Sequence, residues 1–415
     1  MKSGEWTSIT LGDIFDVKHG FAFKGEFFSE KPTHCILVTP GNFQIGGGFK
    51  DDKLKYYDGP IPHEYVLQAG DILVTMTDLS RHGDTLGYSA IVPKSDDMVF
   101  LHNQRIGLLQ FKNSENVDKE FIYWLLRTRE YQTFIVNSAT GSTVRHTSPT
   151  RIQEYTFDLP SLREQRRIAD ILSTLDDKIE LNRQTNATLE AISQAIFKEW
   201  FIDFNFPGAT GEMQDSELGD IPVGWRIGTL GEIVDVKGGT TPSTKEEAYW
   251  DGEYHWATPR DLSGLQSSIL LTTERTITAE GVNKISSGIL PKGTLLLSSR
   301  APIGYLAITE IPVSINQGFI AITALETSNL FMLYWLKSNM DNVISRANGS
   351  TFLEISKTNF REIQMAIPNR SVVNAFDDLV APLFERITMH EHESETLKQI
   401  RDSLLPQLMR GGIKV

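Results

Sequence analysis

The stretch Trp6-Thr-Ser-Ile-Thr-Leu-Gly-Asp-Ile-Phe-Asp-Val-Lys18-His-Gly20 returns as Trp225-Arg-Ile-Gly-Thr-Leu-Gly-Glu-Ile-Val-Asp-Val-Lys237-Gly-Gly239. Working outward, Gly87-Tyr88 matches Gly304-Tyr305, Ala90-Ile91 matches Ala307-Ile308, and Asn103-Gln104 matches Asn316-Gln317. Tyr123-Trp124-Leu125 then matches Tyr334-Trp335-Leu336, Gly141-Ser142-Thr143 matches Gly349-Ser350-Thr351, and Pro160 matches Pro368. The spacing between partners shrinks in order from 219 to 208 residues and then holds to the end of the chain. Loop insertions in otherwise equivalent domains give such a drift. Two copies are too few for a solenoid, so the sequence reads as a duplicated, pseudo-twofold protein.

Each copy has two parts. The first is mixed: short β-rich runs such as Ile72–Met76 and Thr294–Ser298 follow Gly-Asp or Gly-Thr turns. A helical patch over 119–134 carries Tyr123, Trp124 and Leu125 on an amphipathic pattern, and core packing accounts for Tyr123, Trp124 and Trp335 better than a role as stacking platforms. The second part predicts a long helix. No Gly or Pro occurs from Glu164 to Trp200, and Ile168, Leu172, Leu175, Ile179, Leu189 and Ile196 recur on steps of three and four. Asn182, Asn186 and Ser193 interrupt this seam. The matching positions Phe376, Val380, Leu383, Ile387, His390, Ser394, Leu397, Arg401 and Leu404 turn polar at the same place, which suggests that the two helices pack on each other, antiparallel.

The fold expected is therefore α+β: two mixed α/β domains related by pseudo-twofold symmetry, separated by an antiparallel pair of long coiled-coil helices. The boundaries read as 1–160 for the first mixed domain, 161–206 for the first helix, 207–222 for a linker rich in Gly, Pro and acidic residues, 223–368 for the second domain and 369–415 for the second helix.

A length of 415 residues with 40% hydrophobic and 22% charged residues suits a folded protein of two or three domains. The first residues hold no apolar run and no stretch is long enough to span a bilayer, so neither a signal peptide nor a membrane segment is expected. The single cysteine, Cys35, suits a reducing cytoplasm, and one Cys with nine scattered His offers no zinc site. The net charge of −13 counts against DNA binding, which needs clustered Lys and Arg, unless a basic partner shares the phosphate contacts.

Several chemistries are missing. There is no P-loop, no Gly-x-Gly-x-x-Gly after a strand, and no Pro-Pro pair of the kind an amino-methyltransferase uses to hold a flipped base. Asp176-Asp177-Lys178 has the look of a nuclease fragment, but its place inside a heptad helix favours a solvated charged face. His390 falls on the seam, where a satisfied, partly buried histidine is expected; two residues from His392, it shares no face with it for a metal.

The segment Pro160-Ser-Leu-Arg-Glu-Gln165-Arg-Arg-Ile-Ala-Asp-Ile-Leu-Ser-Thr-Leu-Asp-Asp-Lys-Ile-Glu-Leu-Asn182 resembles the first central helix of the specificity subunit of type I restriction-modification systems, and Phe197-Lys-Glu-Trp200-Phe201-Ile-Asp-Phe204 resembles its end. Gly238-Gly-Thr-Thr-Pro242, Tyr249-Trp-Asp-Gly252, Trp256-Ala-Thr-Pro-Arg-Asp-Leu262, Asn316-Gln-Gly318 and Leu404-Leu-Pro-Gln-Leu-Met-Arg-Gly411 are similar to other marks of that family, so the likeness covers essentially the whole chain. The resemblance implies two target recognition domains, each reading one half of a split, asymmetric double-stranded DNA site, with the helix pair as a ruler. It implies two methyltransferase subunits docked on the helices, methylating adenine with S-adenosylmethionine held by those partners, and motor-nuclease subunits for cleavage. It implies no cofactor and no catalytic site in this chain. The alternatives are a stand-alone methyltransferase with an unrecognised site and a helical scaffold for protein partners only.

The two halves of such a site differ, so base readers should be donor-rich, loop-borne and different between the copies. Asn103-Gln104, Asn316-Gln317 and the Gly-Ser-Thr runs are shared, and suit fold support or phosphate contact. The first copy offers Arg81 and His82 in a loop longer than its counterpart, and Thr143, Arg145 and His146. The second offers Thr240, Thr241, Ser243 and Lys245, with Arg260 and Arg300. For each, a solvated loop side chain is the competing account.

Overall fold

The computed structural model describes residues 6–415 apart from 52, 81, 113–114, 142–143 and 350–352. The chain forms two compact units: Met1–Asp177 with Leu397–Val415, and Lys178–Thr396. The cut falls inside both long helices, Leu162–Phe201 and Arg370–Met409, so each unit holds one mixed domain and a piece of each helix.

In the first unit an antiparallel sheet runs in the order Phe15–His19, Ile106–Phe111, Ile72–Thr75, Ser89–Ile91. Ile72-Leu-Val-Thr75 is buried throughout because both faces of this central strand are covered. Ile72 and Val74 pack with Phe121, Trp124 and Tyr131. Leu73 packs with Ile36, Val38 and Phe100, from a second sheet of Phe28–Ser29, Tyr56–Tyr57, Cys35–Val38 and Val99–His102. The domain is closed by Thr7–Thr10 pairing with Thr156–Leu159.

The second unit repeats the plan. Its sheet runs Val234–Gly238, Phe319–Ala324, Leu295–Ser299, Ile303–Thr309, with Ile269–Leu270 added in parallel at the edge. Leu295 and Leu297 face the helix-side core and Leu296 the other. Arg226–Thr229 pairs with Gln364–Ile367 to close it.

The helical patch is two helices, Lys119–Leu125 and Arg129–Asn137. Thr128 interrupts it by turning its hydroxyl to the Tyr131 N–H and starting a new helix. Tyr123, Trp124 and Trp335 are core residues. The segment 207–222 is not bare linker: Met213–Gln214 pairs with Ile221–Pro222. Just before it, the Phe204 and Phe206 rings lie 5.4 and 5.5 Å from buried Trp225.

Each long helix has 40 residues, about 60 Å at roughly 1.5 Å per residue. Their antiparallel pairing is explicit in the second unit. Asn182 donates to Ser394 Oγ (3.2 Å) and Glu393 Oε2 (2.9 Å), while four residues on Asn186 meets His390 and Glu391. Asn186 Nδ2 donates to Glu391, so its Oδ1 accepts from His390 Nδ1–H at 2.8 Å. The polar break in the seam is thus a satisfied network, with His390 buried and hydrogen-bonded.

Asp176 corrects the expectation of a solvated charged face. Its two oxygens each lie 2.5 Å from a guanidinium, that of Arg127 in the mixed domain and that of Arg401 on the second long helix. Burial alone would raise its pKa, but the two arginines outweigh it and hold the carboxyl below its ordinary value. Arg127 also donates to Gly46 O and Tyr123 Oη and stacks on the Trp124 ring. Sequence spacing hides this, because the partners are 49 and 225 residues away from Asp176.

Candidate nucleic-acid interface

The shared Asn-Gln turn comes first, because it positions everything beside it. Asn103 is buried, and its Oδ1 accepts from the Arg105 N–H; Asn316 Oδ1 accepts from the Gly318 N–H. Each turn presses on a matched glycine. A Cβ on Gly20 would sit 2.2 Å from the Asn103 carbonyl oxygen, and one on Gly239 only 1.8 Å from that of Ile315. The asparagines therefore build the turn, while Gln104 and Gln317 are exposed at its tip.

Next to the turn lies the end of the central strand. Met76 N–H donates to Arg105 O, and Ser299 N–H to Gly318 O. A short crossing segment joins from the other side: Thr147 N–H donates to Met76 O, and Ile355 N–H to Ser299 O. These bonds align Met76 with Ser299, Thr77 with Arg300 and His146 with Glu354. The frame is the same in both units, but what it carries is not. In the first unit Thr77 Oγ1 and His146 Nδ1 are 3.1 Å apart; in the second, Arg300 and Glu354 form an ion pair at 3.7 Å.

Arg145, His146 and the loop that carries His82 meet here. Arg145–His146 pairs antiparallel with Thr77–Asp78. Asp78 is buried at the root of the loop carrying His82 and accepts from the Ser80 N–H and from the Thr85 N–H and hydroxyl. Burial would raise its pKa, but these bonds hold it below the ordinary carboxylate range. Gln132 ties down Gly83 O, and the Arg145 side chain flanks Gly83. His82 is exposed and Arg145 half-buried. Arg81 and Thr143 lie outside the described residues.

In the second unit the Thr240 hydroxyl donates to Lys284 O and accepts from Ser286 N–H, so it braces the loop. Thr241 is exposed and donates to Gln317 Oε1. Ser243 and Lys245 are exposed further along, where Ser243 O accepts from Trp250 Nε1. Arg260 is exposed and paired with Glu274, and the preceding Pro259 packs close to Gly318.

Sequence reasoning passed over three residues of this surface. Arg105 is exposed directly after the shared turn; its counterpart is Gly318, so the test of donors that differ between copies would have found it. Glu354 is the partner of Arg300. Lys357 brings its Nζ to 3.3 Å from where a Cβ on Gly238 would be, and only the fold puts it there.

Beneath the first unit's turn His102 is buried, with Nε2 2.9 Å from Ile106 O and, among the described residues, no partner at Nδ1. Burial is the main reason its pKa falls to about 4. A depressed histidine stabilises the fold fully above its unfolded value of about 6.5, and that contribution is lost as pH falls from there towards 4. Lowering the pH from 7 to 5 should remove about 2 kcal/mol that a His102→Gln variant does not lose. Unfolding titrations of both proteins check this; parallel pH profiles would refute it.

Among the described residues, no group of three or more His, Cys, Asp or Glu side chains is placed to hold a metal, and no helix is long and apolar enough to cross a membrane.

The chain matches the model of the type I restriction modification DNA specificity domain twice, over residues 3–191 and 222–398. It is 36% identical over 179 residues to the MjaIX type I restriction enzyme specificity subunit of Methanocaldococcus jannaschii, an alignment covering 41% of each chain. It is 26% identical to the HindI type I restriction enzyme specificity subunit of Haemophilus influenzae, over 99% of this chain and all of that one. The solved type I restriction-modification S subunit from M. genitalium has a similar fold, with a TM-score of 0.53 at 19% identity, over 98% of this chain and 96% of that one.

Proposed function

The chain belongs to the type I restriction modification DNA specificity family, and on that premise we propose that its two units read the two halves of a split, asymmetric DNA site whose gap the helix pair sets. It is a specificity subunit with two recognition domains, and it supplies no catalytic group. The observation that carries the reading is the duplicated frame with different side chains: Thr77 and His146 in one unit, Arg300 and Glu354 in the other. A duplicated enzyme would keep its reacting groups in both copies. A duplicated reader of an asymmetric site keeps the frame and varies what faces the DNA.

The contacts fall to Arg81, His82, Thr143, Arg145 and His146 with Gln104 and Arg105 in the first unit, and to Thr241, Ser243, Lys245, Arg260, Arg300, Gln317 and Lys357 in the second. Asn103, Asn316 and Thr240 hold the loops that present them. Two methyltransferase subunits dock on the long helices, carry S-adenosylmethionine and methylate adenine, and motor-nuclease subunits join for cleavage. These partners also answer the net charge of −13, since they share the phosphate contacts.

Exchanging residues 1–160 for the matching domain of a relative with a different target should change one half of the methylated motif and leave the other half and the gap intact. Sequencing of methylated DNA from cells expressing the hybrid with its methyltransferase checks this. A change in both halves would refute two independent readers.

A further inference from the structure

We propose that the cross-strand pair at the end of the central strand is the specificity-determining position of each unit, and that Arg300 with Glu354 reads a G·C base pair. This rests on the reading of the chain as a DNA specificity subunit. The argument begins with the frame. In both units the residue before the pair is fixed by two backbone bonds, one to the Asn-Gln turn and one to the crossing segment. The same two strand positions are therefore held by the same backbone bonds, and their side chains differ.

The side chains differ in kind. Thr77 and His146 make a hydroxyl–imidazole contact at 3.1 Å. Arg300 and Glu354 make an ion pair at 3.7 Å, with both side chains partly exposed. An arginine meant for phosphate gains nothing from a carboxylate beside it, because that charge repels the same phosphate. An arginine meant for a base edge does gain. The carboxylate lies beside the guanidinium fork, and it can itself accept from the N4 amino group of cytosine while the fork donates to O6 and N7 of guanine. The pair thus offers donors and an acceptor matched to the two bases of one pair. In the first unit Arg145 precedes His146 where the second unit has Leu353, and Arg105 follows the turn where the second unit has Gly318, so the two readers differ in where the charge lies as well as in its partner.

The test uses the full chain assembled with its methyltransferase subunits, with the methylated motif as readout. The wild-type complex should show a G·C pair in the half-site read by the second unit. R300T/E354H, which installs the first unit's pair, should lower discrimination at that base pair roughly 5- to 150-fold and leave the other half-site and the gap unchanged. R300K keeps the charge without the fork and should relax the same position; E354Q keeps the shape without the charge and should weaken discrimination there too. The two single variants cover the case in which the double variant does not assemble. A second half-site without a G·C pair overturns the proposal. So does an unchanged motif in R300K and E354Q, or a loss uniform over all sequences. A wild-type complex that methylates no two-part motif would instead overturn the specificity-subunit reading.

Discussion

Asp176→Asn should destabilise the first unit by about 3 kcal/mol, because it leaves two guanidiniums facing each other without their shared carboxylate. Arg127 is the more exposed to this loss: its side chain retains 3% of its accessible surface and cannot turn to water. For a unit of this size that energy corresponds to a fall of roughly 6–12 °C in melting temperature. Calorimetry of the full chain gives the shift, and hydrogen exchange over Lys119–Leu125 and Arg129–Asn137 should place it in the first unit. The contribution has a sign in pH. A carboxylate with a lowered pKa stabilises above its unfolded value, and that stabilisation is lost as pH falls through the folded one. The second unit carries no charge at the three matching positions. By the repeat spacing its counterparts of Arg127, Asp176 and Arg401 are Ser338, Phe384 and Ser193, and Phe384 packs in the core cluster there. Installing that trio in the first unit should therefore cost less than Asp176→Asn alone, since exchanging a buried ion triad for packed side chains is often neutral. A triple variant less stable than the single one would mean that the pocket around Arg127 is shaped for the guanidinium and not only charged for it.

That triad also marks what sequence can and cannot reveal. The long helices were legible because a heptad pattern is local, and the duplication was legible because ordered matches accumulate along the chain. Even Pro382 and Pro406, which by local rule break a helix, lie inside Arg370–Met409; the seam of Phe376, Val380 and Ile387, fully buried, outweighs them. The burial of Asp176 is not legible locally, because its environment is made of residues 49 and 225 positions away. The break at Thr128 was missed because the amphipathic pattern continues through it, although Thr128 three residues before Tyr131 is a capping signal. At the interface, comparing the copies pointed to Arg145, His146 and Arg300, which the fold then brings to one equivalent junction. Arg105 follows the same rule, as a donor beside the shared Asn-Gln where the other copy has Gly318. Lys357 and Glu354 had no local signature; strand pairing places Glu354 opposite Arg300, and Lys357 opens the short helix Lys357–Arg361 that follows.

Lengthening both long helices by one heptad should lengthen the gap in the recognised motif by about three base pairs. An inserted heptad adds roughly 10 Å at about 1.5 Å per residue, and duplex DNA advances about 3.4 Å per base pair. The place for the insert follows from the two compact units. Seven residues after Asp177 and seven after Thr396 fall at their borders, so Asp176 keeps Arg401 in one unit and Asn182 keeps Ser394 in the other. A whole heptad preserves the seam, whereas an insert of three or four residues would turn the apolar stripe away. Both half-sites should keep their sequences, because neither reader is touched. DNA also rotates by about 100° over three base pairs at 10–10.5 base pairs per turn, so the complex must twist to engage both halves, and methylation should slow while the motif stays two-part. The measurement is the motif methylated by the lengthened chain with its methyltransferase. If an active variant retains the original gap, the helices join the readers without setting their spacing, and the ruler must lie in the partner subunits.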